Sequence, residues 1–349
     1  RQLSFGGGVV DHHLSPDVSS VVYQRSMDYA SYSLWTVNTD GSGERQLLTE
    51  ADLAALGAVE GSIGASAAFL AWAPGSRSVA FATSPKFDGP GLMINDDLQL
   101  LNVDAGTRTQ LLARGQGGRF TYSPDGSRVA ISTPTSIHLM NANGSSRREN
   151  LVSFPFINTA SEYAYYPYFS WVADSSFVLT AIPPQDPWAA APDNTTVWKI
   201  PANGSAALVM SAFSKDFFSE VVFSPDASRM LYTTRSGDLF DLHLRNLDGS
   251  GDTVVAAGAN LRILGWNPAG THFLFTSDGA DAQVAQPGAS PVSLPSTMAA
   301  GRRLTWKDDM TILYALGGGP FEIRQRGLDG SDSPQVSGLS FDPVFQSMP

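Results

Sequence analysis

Residues 120–132 read Phe-Thr-Tyr-Ser-Pro-Asp-Gly-Ser-Arg-Val-Ala-Ile-Ser. Phe120 and Tyr122 alternate with Thr121, the period of a strand whose two faces differ. Pro124 fixes φ as the chain turns, and Gly126 accepts a positive φ. Val129-Ala130-Ile131-Ser132 reads as a second strand. Ile137-His138-Leu139-Met140 reads as a third, ended by Asn143-Gly144, and Asn150-Leu151-Val152-Ser153 as a fourth. An Asp-Gly or Asn-Gly pair between alternating segments is a strong hairpin signal. It recurs at Asp40-Gly41, Asn203-Gly204, Asp248-Gly249 and Asp329-Gly330.

The phrase itself repeats. Its copies are Leu14-Ser15-Pro16-Asp17, Trp72-Ala73-Pro74-Gly75, Tyr122-Ser123-Pro124-Asp125, Trp171-Val172-Ala173-Asp174, Phe223-Ser224-Pro225-Asp226, Trp266-Asn267-Pro268-Ala269 and Trp306-Lys307-Asp308-Asp309. The leading residues lie 58, 50, 49, 52, 43 and 40 positions apart, the period of propeller blades. Two residues before them stand His12, Leu70, Phe120, Phe169, Val221, Leu264 and Leu304, nearly all apolar, so this position shares the buried face with the leading residue. The intervening residues, His13, Ala71, Thr121, Ser170, Val222, Gly265 and Thr305, are mostly small, as expected where blades crowd towards an axis.

These copies resemble the Trp-Ser-Pro-Asp-Gly repeat of TolB-like, PD40-type (WD40-like) β-propellers, over nearly the whole chain. The copies at Trp171 and Trp306 have lost the Ser-Pro pair. The expected fold is an all-β propeller of four-stranded antiparallel blades, forming a single domain over residues 1–349. Seven blades fit the seven copies, with six or eight as alternatives if one end completes or displaces a copy. Closure is expected from strands at both ends, because Arg1-Gln2-Leu3-Ser4 resembles the outer-strand phrase Arg45-Gln46-Leu47-Leu48, and Asp342-Pro343-Val344-Phe345-Gln346-Ser347 resembles an inner strand. The resemblance implies a non-catalytic binding protein of the bacterial cell envelope, periplasmic or extracellular.

Composition narrows the partners. Lys and Arg number 22 against 33 Asp and Glu, a net charge of −11, so no basic excess is available for nucleic acid or an anionic membrane surface. No apolar run is long enough to insert in a membrane. There is no cysteine, hence no disulfide, thiolate metal site or Cys nucleophile. Five histidines are spread over different strands; the adjacent His12 and His13 point to opposite faces, so no metal or cofactor is expected. Asn95-Asp96-Asp97 and Asp278-Gly279-Ala280-Asp281 read as Asx turns before calcium loops. No Gly-x-Ser-x-Gly elbow is present, and no catalytic residue is assigned.

In propellers, the loops leading into the inner strands ring one mouth of the channel. Three positions before each leading residue stand Asp11, Phe69, Arg119, Tyr168, Glu220, Ile263 and Arg303, with Arg262 and Arg302 close by. Two readings are open: a positive patch for a small anionic ligand or a partner's carboxylate, and structural pairing of the arginines with Asp11 and Glu220. Tyr163, Tyr165, Tyr166 and Tyr168 cluster in the loop before the fourth copy, suiting either partner contact or a channel plug. Trp188, in Pro183-Pro184-Gln185-Asp186-Pro187-Trp188, is expected at the rim. Residues 50–68, rich in Ala and Gly, read as a surface loop, although Asp52-Leu53-Ala54-Ala55-Leu56 can form a short helix. A protein partner is expected; the alternatives are an enzyme acting on a glycan or small anion through Arg119, Arg303 and Glu220, and a structural subunit of a larger assembly.

Overall fold

The computed structural model describes residues 8–75, 77–189, 194–213, 221–277, 281–295, 304–316 and 321–339. Seven four-stranded antiparallel sheets follow one another along the chain, and each takes four consecutive strands. This is a seven-bladed β-propeller with one short helix among the described residues. The blades occupy residues 9–48, 62–112, 119–153, 169–213, 222–258, 262–293 and 304–339. Residues 1–7 and 340–349, expected to supply closing strands, lie outside the described residues. The chain divides into two compact units, residues 1–192 with 199–207, and residues 193–198 with 208–349. No described helix is long and apolar enough to cross a membrane.

Strand periodicity explains how the blades hold together. In the second strand of blade two, Ser78–Phe87, Phe81 joins a core with Val22 and Leu34 of blade one, while its neighbour Ala80 joins a core with Phe120, Val129 and Ile131 of blade three. Successive residues thus serve opposite faces, and both faces are buried. The same division recurs in blade six, where Phe273 and Phe275 meet Leu231 and Leu242 of blade five, and Leu274 meets Leu304 and Ile312 of blade seven. This is why the central stretches of these two strands, residues 79–82 and 273–275, are continuously apolar.

The Ser-Pro-Asp phrase is a hydrogen-bonded knot. Ser15, Ser123 and Ser224 each donate from Oγ to Oδ1 of the Asp two residues on, at 2.6 Å. That Asp accepts the backbone N–H of Ser19, Ser127 or Ser228 in turn, at 2.9–3.1 Å. The first Ser Oγ also accepts the N–H that opens the second strand, from Ser20, Arg128 or Arg229. Hydrogen bonds from Ser123 and Ser127 hold the Asp125 carboxyl down at about 2. Blade six does the same work with one residue: Asn267 Oδ1 accepts from both Thr271 N and His272 N. The knot forces a left-handed backbone on the fourth residue whatever its side chain: φ is +70° at Gly126, but also +59° at Val18 and +55° at Ala227.

Leading tryptophans tie each blade to the one before it. The indole Nε1 of Trp72 donates to His13 O (3.0 Å), Trp171 to Thr121 O (3.4 Å), Trp266 to Val222 O (3.3 Å) and Trp306 to Gly265 O (3.2 Å). Each acceptor is the residue just before the preceding leading residue, the small position of the sequence pattern. Tyr122 holds the leading place in blade three, and its hydroxyl is buried without a hydrogen-bond partner. Burial pushes that phenol up to about 12.

The segment 50–68, read as a surface loop, is instead a helix, Glu50–Gly57, followed by the first part of the inner strand of blade two, Ser62–Trp72. Thr49 Oγ1 accepts from Asp52 N while Asp52 Oδ2 accepts from Thr49 N, a reciprocal cap. Leu53 is buried in the core shared by blades one and two. The capped first turn and this one apolar anchor outweigh the glycine-rich surroundings.

Two stability tests follow from the knots and ties. Val18→Gly removes a β-branched side chain from a left-handed position at the cost of glycine's extra backbone entropy, and equilibrium urea unfolding is expected to show a net gain of about 0.5–1 kcal/mol. Tyr122→Phe removes a buried hydroxyl without a partner and is expected to gain about 1 kcal/mol, whereas Trp72→Phe, which removes the indole tie to His13 O, loses about 1–2 kcal/mol in the same assay.

Candidate functional site

Three of the positions predicted from the repeat register come together in the first unit. Arg119 opens the inner strand of blade three, Arg119–Tyr122, opposite Ser132. Its guanidinium carbon lies 3.6 Å from the ring centroid of Tyr168 and 4.6 Å from that of Phe69. Phe69 comes from blade two and Tyr168 from the segment leading into blade four, so residues of three blades meet on one cation. The Arg119 guanidinium has no hydrogen bond or ion pair among the described residues, and its Nε is buried without a partner. Of the structural pairing of the arginines with Asp11 and Glu220 raised by the sequence, the Asp11 half is not formed with Arg119, and Glu220 lies outside the described residues. Asp11 instead bonds His13 Nε2 at 3.0 Å.

Phe69 reaches Arg119 through a backbone irregularity. The pairing of Ser62–Trp72 with Ser78–Phe87 shifts register between Ala68 and Ala71, and Phe69 adopts φ +58° at this bulge. Bulges re-aim side chains, and a left-handed aromatic residue is costly. The Phe69 ring meets Tyr166 edge to face, with centroids 5.6 Å apart. Tyr166, expected at the rim, is only 5% exposed, and its hydroxyl oxygen accepts from Asn95 N at 2.8 Å. Burial raises its phenol pKa. Tyr166 is therefore a pillar under the site and not a contact residue. Tyr165 is half-buried, while Tyr163, Tyr168 and Trp188 are exposed.

Arg262 is exposed at the start of the inner strand of blade six, opposite Thr276, in the second unit. Glu220, Arg302 and Arg303 lie outside the described residues.

Of the acidic candidates, Asp96 and Asp97 have structural partners, and residues 278–280 lie outside the described residues. Asp97 Oδ1 accepts from Thr83 N and Asp96 pairs with Arg114 at 2.9 Å. Among the described residues, no three His, Asp or Glu side chains gather as a metal site. Thr234, His243 and Asp252 form a chain, with 3.0 Å from Thr234 Oγ1 to His243 Nε2 and 2.9 Å from His243 Nδ1 to Asp252 Oδ1, in the order of a nucleophile, base and acid. The repeat accounts for it: Asp252 also accepts from Tyr232 OH, as Glu44 accepts from Tyr23 OH in blade one and Asp332 from Tyr314 OH in blade seven. A cation stands beside the carboxylate there too, Arg25 and Arg324. The Tyr–carboxylate tie locks second strands to the start of the fourth, and sequence reading missed it although its tyrosines sit at corresponding places.

No family model matches the sequence, and no curated protein sequence matches it. Solved structures share its fold. The Dos1 propeller aligns over 98% of this chain and 86% of its own, with TM-score 0.61 and 9% identity. A prolyl endopeptidase aligns over 95% of this chain, with TM-score 0.58 and 15% identity. TolB from Acinetobacter baumannii aligns over 92%, with TM-score 0.40 and 13% identity. The chain spans 65% of the length of that TolB chain and half of the endopeptidase chain. The likeness is one of fold, the β-propeller.

His138 supplies a pH test. It is 5% exposed, with Nε2 2.9 Å from Ser136 Oγ and Nδ1 accepting from Asn150 N. Burial, reinforced by Arg147 and opposed by Glu149, lowers its pKa from 6.5 to about 4. The unfolded chain takes up this proton first, so the contribution is full above pH 6.5 and is lost as pH falls towards 4. Urea unfolding at pH 6.5, 5.5 and 4.5 is expected to show a loss of about 2 kcal/mol across that range, which His138→Gln flattens.

Proposed function

We propose that this chain is a non-catalytic binding scaffold of the bacterial cell envelope that holds a protein partner by a carboxylate at Arg119. The observation that carries the reading is the guanidinium set between the rings of Tyr168 and Phe69 without a counter-ion among the described residues. Aromatic faces orient a planar guanidinium and remove water from its sides, which leaves its edge for a planar anion. Arginine suits this role because its fork matches a carboxylate and it cannot shed its charge. The bulge at Phe69 supports the reading, since backbone strain collects where a side chain must be aimed. The envelope location rests on the resemblance of the repeated phrase to that of TolB-like propellers.

Capture from the envelope fraction of the source cells tests this, with wild type and Arg119→Ala compared at equal folded fraction. A partner held by wild type is expected to lose at least tenfold in affinity with Arg119→Ala, and a small carboxylate in excess is expected to displace it. Equal retention by both proteins refutes the placement at Arg119.

A further inference from the structure

The loops beside Arg119 form an ordered platform. Met93 N donates to Glu162 O (2.8 Å), and Met93 pairs with Tyr163 in a parallel bridge. Asn158 N donates to Gln185 O (2.8 Å), and the Trp188 indole donates to Asn158 O (3.0 Å). Three connections, residues 88–97, 154–168 and 183–189, are thereby laced together. Tyr166 joins this platform to the Arg119 site through its contacts with Asn95 and Phe69.

The platform is both apolar and acidic. Leu92, Phe156, Tyr163 and Trp188 are each 38–45% exposed. In blades one to four, the turns between first and second strands and between third and fourth expose one large apolar residue among the described residues, Val18. Asp88, Glu162 and Asp186 belong to the same three connections, exposed and with no ion pair among the described residues, and Asp186 Oδ1 accepts from Trp188 N. Laced loops have already lost the conformational entropy that binding otherwise costs. Exposed aromatic faces beside uncompensated carboxylates complement a cation on an apolar stem, through cation–π contact and charge.

From this we infer that the platform docks a segment of a partner protein in which basic residues alternate with apolar ones. The inference rests on the binding reading above and specifies the partner's chemistry next to the Arg119 contact. A basic, apolar segment that ends in or carries one carboxylate meets both.

The test uses the full chain and three synthetic twelve-residue peptides, amidated at the C-terminus: alternating Lys with Leu/Phe, alternating Glu with Leu/Phe, and alternating Lys with Ser. Fluorescence anisotropy at physiological salt is expected to show at least tenfold tighter binding of the first than of either other. Hydrogen exchange is expected to slow in residues 154–168 and 183–189. The double variant Asp88→Lys/Glu162→Lys is expected to weaken the first peptide about tenfold, as is Tyr163→Ser, while Asp238→Lys, a charge reversal in blade five, changes it less than twofold. Arg119→Ala leaves this peptide unaffected, so failure at Arg119 and failure of the platform are told apart. Equal binding of the acidic or the serine peptide, protection elsewhere, equal effects of Asp238→Lys and the double variant, or no binding of the first peptide at millimolar concentration overturns the proposal.

Discussion

Neighbouring blades share no backbone ladder, so side chains must join them, and this constraint shapes much of the molecule. The indoles of Trp72, Trp171, Trp266 and Trp306 supply such a joint, each donating to a carbonyl of the preceding inner strand. Tryptophan fits because it combines a large apolar body with a single donor at the far end of the ring. The side chain that fills the space between two sheets thus also fixes their register. Small residues at His13's equivalents, such as Thr121 and Gly265, let the indole approach the main chain. Where Tyr122 replaces tryptophan, the donor is left without an acceptor and the junction rests on packing among Leu98, Phe120 and Val129.

The Ser-Pro-Asp knot works on the opposite side of the same economy. It closes the turn with side-chain oxygens, so the two strands leave the turn in a register that does not depend on what the fourth residue is. Val18 and Ala227 are therefore tolerated in a conformation that suits glycine. The repeat can diverge at one place because it is over-determined at others: Asn267 replaces a serine by offering one oxygen to two donors.

These features decide what was legible in the sequence. The knot is contiguous, so seven copies revealed the blades and their strand order. The period-two rule carried the reading from each leading residue back to Phe69, Arg119 and Tyr168, and these meet. Counting could not foresee that Phe69 arrives through a bulge, because the bulge arises from pairing between Ser62–Trp72 and Ser78–Phe87. Nor could it sort the loop tyrosines. Tyr163 lies out and Tyr166 in because residues 158–166 are laced to Met93, Asn95 and Gln185, contacts between distant segments with no local period. The helix after Thr49 was obscured by composition, although Thr49 and Asp52 at capping spacing were the signal.

Arg119 is hard to explain as a contributor to stability. A cation between two rings gains about 0.5–2 kcal/mol. Against this stand the partial desolvation of the guanidinium and a buried Nε without an acceptor, which alone costs about 1–3 kcal/mol. Phe69 adds the cost of a left-handed backbone. A leucine or methionine would fill the gap between the rings without either penalty. With 33 acidic residues in the chain, a carboxylate partner was readily available, yet the described structure places Asp11 on His13 and leaves Arg119 to its rings. The sum for folding is near zero or negative. It turns favourable when a carboxylate arrives from outside and bonds the guanidinium, and this imbalance is the physical reason for centring the binding reading on Arg119.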